Sequence, residues 1–116
     1  MKRLQSPFLV MPLWSAVGAT LVATSPTPWL AFAGVAAWPV IEYAVHRWLM
    51  HGSAKFAPKF YKKIHGCHHA WPEDLSHFTI PITVVACVTA ALLLALPGAF
   101  VGGALLAYVG YDLAHL

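Results

Sequence analysis

The fold of this chain is decided by residues 4–41, which read LQSPFLVMPLWSAVGATLVATSPTPWLAFAGVAAWPVI and contain no Asp, Glu, Lys or Arg. A second block without these residues covers positions 75–111. Both blocks are longer than the roughly 20 apolar residues that cross a bilayer once. Each block also has a turn signal near its middle, SPTP at 25–28 and PG at 97–98. Each block therefore predicts a helical hairpin in a membrane.

The composition of the chain agrees with a membrane environment. Hydrophobic residues make up 59% of the sequence and charged residues only 9%, with a mean hydropathy of +0.68, whereas about a quarter of an ordinary soluble domain is charged. The net charge of +3 comes without a long basic run, so we expect no nucleic-acid partner. A chain of 116 residues is long enough for one domain. We predict a single, all-α, membrane-embedded domain over residues 1–116.

The turn signals and the charges together place four membrane-spanning helices and their orientation. All seven Lys and Arg residues lie before the first span, in the last turn of the second span or between the second and third spans. The positive-inside rule makes this side cytoplasmic, and four spans return the chain end to it. We therefore expect both termini and the central segment in the cytoplasm. The predicted spans are Pro7–Thr24, Trp29–Met50, Thr79–Leu96 and Ala99–His115.

The first two histidines of the central segment lie near the end of the second span. Glu42 precedes His46 by four residues, so on a helix its carboxylate can accept the second N–H of the imidazole, as partners of metal-binding histidines usually do. His46 and His51 are five apart and diverge by about 140° on a regular helix. We therefore expect these two histidines to flank a site rather than to bind one ion side by side.

Three more histidines share a short helix predicted at the headgroup level, from Pro58 to Ala70. His65, His68 and His69 have the spacing i, i+3, i+4, which is expected to turn their imidazoles toward one point. A metal ion is the simplest partner for so many nitrogens near a low-dielectric membrane. Imidazole suits iron, zinc, copper and nickel, so the residues alone leave the metal open.

The remaining polar residues have plainer interpretations beside the metal hypothesis. Asp112 and His115, three apart at a helix end, fit either a capping or ion pair or a part of the metal site. His77 is interpreted as opening the third span rather than as a ligand. Cys67 and Cys87 lie in very different settings, so we predict no disulfide between them.

The histidine motifs and their order resemble a known family. HxxxxH covers residues 46–51, HxxHH covers 65–69 and YDxxH covers 111–115. The stretches EYAVHR at 42–47 and HGCHHAWPED at 65–74 are similar to the EYxxHR and HGxHHxxPxD stretches of the fatty acid hydroxylase and sterol desaturase superfamily. Over about the last three-quarters of its length the chain most closely resembles the fatty acid 2-hydroxylase-like members.

The resemblance implies a membrane-bound oxygenase with a dinuclear iron centre on the cytoplasmic side. Such an enzyme hydroxylates a fatty acyl chain or a sterol-like lipid with O2, in lipid biosynthesis, and takes electrons from a donor such as cytochrome b5 or a ferredoxin. Two irons are implied, and zinc could substitute for them. Glu42 and Asp112 are implied to contact the histidine ligands without binding the metal themselves. The implied ligands are His46, His51, His65, His68, His69 and His115.

Members of this superfamily continue beyond the YDxxH histidine to a further HxxHH-like box, so we expect the domain to be incomplete at its C-terminus and its activity alone to be weak or absent. Two other function classes stay open from the residues. A bis-histidine haem protein for electron transfer would place single histidines on facing spans at similar depth. A noncatalytic metal-binding membrane subunit would bind metal and oxidise no lipid.

Overall fold

The computed structural model describes residues 5–116, and these residues form helices and turns with no β-strand among them. The prediction of an all-α protein is confirmed. The first two basic residues, on which part of the orientation argument rests, lie outside the described residues. The helices are α1 (Pro7–Ala23), α2 (Leu30–Ala44), α3 (Gly52–Phe56), α4 (Pro58–Tyr61), α5 (Cys67–Ala70), α6 (Ile82–Leu93) and α7 (Gly98–His115).

Two π-helices and one 3-10 turn join the short elements of the central segment. The first π-helix, Val45–His51, continues α2 directly into α3, and the second, Lys62–Gly66, joins α4 to α5. The predicted helix from Pro58 to Ala70 is thus present, with a π-helical middle. The 3-10 turn Leu75–His77 leads to α6.

Each of the four long helices overlaps one predicted span. Helix α2 ends at Ala44, six residues before the predicted end at Met50, and the π-helix Val45–His51 continues it. In the third predicted span the helix begins at Ile82 rather than Thr79. Pro81 holds an extended backbone conformation and precedes the first helical residue, so it delays the start. Both predicted turns are present, between α1 and α2 and between α6 and α7.

The outer surface of these helices is apolar. Phe8 on α1 is 77% exposed, Phe32 on α2 is 81% exposed, and Leu94 after α6 is 90% exposed. Water disfavours such exposure, whereas a lipid environment does not. By length and composition one segment in the described part of the chain, Leu75–Leu93, could cross a membrane, and α1 is a shorter apolar helix.

Helix α7 lies at the centre of the bundle, with α1 and α2 packed along much of its length. Glycines allow the close approach, because a methyl group added at Gly34 would fall on the backbone carbonyl of Phe100, and one at Gly103 on that of Ala31. Gly110 has no described atom within 4 Å of its missing Cβ. The close packing of α7 therefore depends on Gly34 and Gly103 and not on Gly110.

The N-terminal end of the described chain ties the central segment to the bundle. The Gln5 side-chain amide donates to the backbone oxygen of Thr79 at 3.0 Å and to that of Lys63 at 3.3 Å. The Thr79 hydroxyl donates back to the Gln5 carbonyl at 2.7 Å. Gln5 and Thr79 are both buried, so these bonds are shielded from water. The histidine-bearing helix is thereby fixed next to the starts of α1 and α6.

Candidate metal centre

Four histidines form a cluster, which we call the four-histidine cluster. The Nε2 atoms of His46 and His51 are 3.1 Å apart, and those of His65 and His69 are 2.7 Å apart. One candidate ligand atom from each residue lies within 4.8 Å of the other three. Imidazole nitrogens that bind one ion at about 2.0–2.1 Å stand roughly 3 Å apart. The cluster is therefore close to the spacing of a coordination sphere.

The π-helix Val45–His51 corrects the expectation that His46 and His51 would flank a site. That expectation assumed a regular α-helix, in which residues five apart point in different directions. A π-helix makes i→i+5 hydrogen bonds, so residues five apart lie one above the other on the same face. The two imidazole rings are accordingly only 4.9 Å apart between centroids and share the same cluster.

The expectation that His65, His68 and His69 turn toward one point is correct for two of the three. His65 and His69 join the four-histidine cluster, with ring centroids 4.4 Å apart. His68 lies outside that cluster, and its ring centroid is 6.3 Å from that of His65. Adjacent residues on a helix differ by about 100° in direction, so His68 and His69 face different sides.

Glu42 contacts His46, which belongs to the four-histidine cluster. Its Oε1 lies 3.3 Å from Nδ1 of His46, as the i, i+4 spacing predicts. A carboxylate there favours the tautomer that carries its proton on Nδ1. The lone pair of Nε2 on His46 is then free to face the other imidazoles, which is the arrangement a metal ligand needs.

A cavity of about 160 Å³ is lined by three histidines of the cluster and by a second group of polar side chains, which consists of His68, Asp112 and His115. Nδ1 of His68 and Oδ2 of Asp112 are buried and accept or donate no hydrogen bond within residues 5–116. The His115 ring lies against Tyr111, with centroids 4.4 Å apart. Buried polar atoms without a partner are rare, so a metal ion or water between these side chains would satisfy them.

Three imidazoles of the site, those of His65, His68 and His69, are held in the neutral form. Burial, followed by the neighbouring His46, lowers the pKa of His65 to about 3. Burial is also the main cause that lowers the pKa of His68 and of His69. Neutral imidazole is the form that binds metal, so these three side chains need not lose a proton at neutral pH to become ligands.

His77 takes no part in either group. Its Nδ1 lies 3.1 Å from Oδ2 of Asp74, whose other oxygen accepts from the backbone N–H of Ser76 at 2.9 Å. Hydrogen bonds from Ser76, then from His77, lower the pKa of the Asp74 carboxyl to about 2. The three residues cap the turn before α6, which agrees with the interpretation of His77 as opening the third span. Cys67 is a free thiol, as is Cys87.

Sequence reasoning missed the aromatic wall of the cavity. Trp38 on α2 and Tyr108 on α7 have ring centroids 5.5 Å apart and both line it. Phe78 also lines the cavity and lies edge-on to His68 at 5.4 Å between centroids. Tyr108 precedes Asp112 by one helical turn, which is a signal that could have placed it on the same face.

Comparisons with known proteins identify related sequences. A sequence model of the fatty acid hydroxylase family matches residues 31–116. The chain is 38% identical over 92 residues to a dihydroceramide fatty acyl 2-hydroxylase of Arabidopsis thaliana, covering 71% of this chain and 39% of that protein. It is 36% identical over 97 residues to a ceramide very long chain fatty acid hydroxylase of Saccharomyces cerevisiae, covering 71% of this chain and 25% of that protein.

A third relative extends the match further along the chain. The fatty acid 2-hydroxylase of Macaca fascicularis is 34% identical over 109 residues, covering 84% of this chain and 29% of that protein. The chain therefore spans between a quarter and about two-fifths of the length of these relatives. No solved structure matches it. Because the family model covers most of the chain, including both histidine groups, this chain belongs to the fatty acid hydroxylase family.

Proposed function

We propose that this chain forms the metal-holding membrane part of a lipid hydroxylase, which inserts oxygen from O2 into a C–H bond of a fatty acyl chain or a related lipid. The observation that carries the proposal is the convergence of His46, His51, His65 and His69, with ligand atoms within 4.8 Å of one another. The relatives named as fatty acid and ceramide hydroxylases support a lipid as the substrate.

Iron is the metal we assign to the site, and zinc could substitute for it. The four-histidine cluster would hold one ion, and His68 with His115 would hold a second, supported by Asp112. The donor set fits, since imidazole and carboxylate groups suit non-haem iron, and the buried unpartnered atoms of His68 and Asp112 face the cavity where the second ion would lie. When bound, iron would supply the chemistry that activates O2.

The protein's own residues then have defined roles around the two ions. The Glu42 carboxylate accepts a hydrogen bond from Nδ1–H of His46, and this keeps Nε2 of His46 directed toward the other histidines. The aromatic wall made by Trp38, Phe78 and Tyr108 limits the access of water to the cavity. The ring of Tyr111 lies against His115 and restricts its rotation.

The orientation that we propose keeps the histidines and both termini on the cytoplasmic side, with four helices crossing the membrane. The exposed apolar side chains of α1 and α2 and the apolar segment Leu75–Leu93 support insertion into a membrane. The one-sided positions of the Lys and Arg residues support the orientation. A reducing partner such as cytochrome b5 or a ferredoxin would then approach the histidine side. Four exposed lysines lie on the central segment there, at positions 55, 59, 62 and 63.

The haem alternative is less well supported by the geometry. Two axial histidines bind from opposite faces of a porphyrin, which needs a flat gap between them. The rings of His46, His51, His65 and His69 instead lie 4.4–6.4 Å apart in one cluster. A Soret absorption band in the purified protein would support haem over non-haem iron.

The proposed function is tested by metal analysis and by product formation. We expect iron to copurify with the chain in detergent or nanodiscs, without a Soret band. Lipid hydroxylation is assayed under O2 with a reducing partner, both for this chain and for a form extended beyond Leu116 by a further HxxHH box. We expect weak or no turnover by the first form and turnover by the second. Absence of bound metal and of hydroxylated lipid in both forms would contradict the proposal.

A further inference from the structure

A second cavity, distinct from the one lined by the histidines, lies between α2, α6 and α7. It has a volume of about 200 Å³ and presents almost only carbon atoms, and we call it the apolar chamber. Its walls include Ile41 from α2, Leu49 from the π-helix that follows α2, Val88 and Leu92 from α6, and Phe100 from α7. Apolar cavities exclude water and bind apolar molecules.

The chamber is open toward lipid on one side. Helix α6 contacts α7 at few positions, in contrast with α1 and α2, which lie along α7. Leu49 and Val88, on the two sides of the chamber, are 45% and 46% exposed. An apolar molecule could therefore enter sideways from a membrane without crossing a polar barrier.

The apolar chamber and the histidine cavity share a wall. The side chains of Val45, Met50, Ile64 and Ile80 line both, together with the aromatic pair Trp38 and Tyr108. From Tyr108 at this wall the lining of α7 extends back to Phe100. Eight residues of α-helix cover about 12 Å, which is most of the roughly 15 Å of hydrocarbon in one membrane leaflet.

We infer that the apolar chamber holds the acyl chain of the lipid substrate, with its reacting end at the histidine cavity, and that Leu96 and Phe100 at the far end limit the chain length. The inference rests on the proposed function, which supplies the reaction at the shared wall. A flexible acyl chain is the occupant because it is narrow and carries no polar group along its length.

The test uses a fatty acid with a photoactivatable diazirine at its terminal carbon, bound to the protein in nanodiscs and mapped by mass spectrometry. This readout needs neither metal nor turnover. We expect labelling of Leu92, Leu96 or Phe100, and about tenfold less labelling in Val88→Trp, where the larger side chain fills the chamber. The matched control is Phe32→Trp on the exposed face of α2, which should label like the unmodified protein.

Chain-length selection supplies the second readout, on the active extended form. Phe100→Ala lengthens the chamber, so the distribution of hydroxylated products should shift toward longer acyl chains, and Leu96→Ala should shift it in the same direction. Labelling in the chamber, with no hydroxylated product from the extended form, would uphold this inference and contradict the proposed function. Labelling confined to the outer faces of the helices would overturn the inference that the chamber holds the acyl chain. Turnover with an unchanged distribution of product chain lengths in both variants would also overturn it.

Discussion

The two groups of candidate ligands differ in how the chain assembles them. The four-histidine cluster is built within residues 46–69, from one helix extension and the short helix that follows it. The second group joins His68 on α5 to Asp112 and His115 on α7. The first group comes from two segments that are close together along the chain, whereas the second depends on the packing of α7 in the bundle. We therefore expect the first group to bind metal more tightly and to survive changes that disturb the second.

The largest expected effect follows from removing a ligand of the four-histidine cluster. His65→Ala takes away one of four converging imidazoles, and we expect the affinity for the first ion to fall by at least about 100-fold. Elemental analysis after dialysis against a chelator measures the loss. His77→Ala is the matched control, because His77 contacts Asp74 and Ser76 instead of the cluster. A greater loss in His77→Ala than in His65→Ala would mean that the site is elsewhere.

A smaller loss of metal affinity is expected from a change to Glu42, which contacts His46. Glu42→Gln removes the carboxylate charge next to His46 and weakens the preference for the metal-binding tautomer. Changes to such partners typically cost about 10–100-fold in metal affinity. Competition with a chromogenic chelator would measure it, and an affinity equal to that of the unmodified chain would show that Glu42 does not orient His46.

A change in the packing of α7 should affect metal binding differently at the two groups of candidate ligands. Gly103→Ala places a methyl group against the backbone carbonyl of Ala31, so α7 must move away from α2. Such overpacking typically costs about 1–3 kcal/mol of stability, and we expect weaker binding at the second group with little change at the first. Gly110→Ala, whose added carbon meets no described atom within 4 Å, is the control. Equal losses at both groups would remove the distinction between local and packed assembly.

The smallest expected effect concerns pH in the metal-free protein. The pKa of His65 is about 3 in the folded chain, below the ordinary value of 6.5, so the unfolded chain binds more protons between these two pH values. Stability of the metal-free form should therefore fall as the pH is lowered from 6.5 toward 3. Thermal unfolding in detergent would measure it, and His65→Gln should weaken the dependence. If the pH dependence of stability is unchanged in that variant, titratable groups other than His65 cause it.

Much of this architecture could be predicted from the sequence, because charges and turn residues mark the ends of apolar helices directly. The helix bounds around residues 25–28 and 97–98 follow from that pattern. The pairing of His46 with His51 could not be predicted, since the choice between α and π hydrogen bonding depends on tertiary packing rather than on residue spacing. The separation of His68 from His65 and His69 was also missed. The prediction placed all three histidines on one face, although adjacent residues such as His68 and His69 differ in direction by about 100° on a helix.

We expect one tightly held ion in the four-histidine cluster, and a chelator titration of the iron-loaded chain measures how tightly it is bound. The tight ion should be lost in His65→Ala and retained in His68→Ala, which affects only a weaker second ion. Retention of the tight ion in His65→Ala, together with its loss in His68→Ala, would show that the tight site is not the four-histidine cluster.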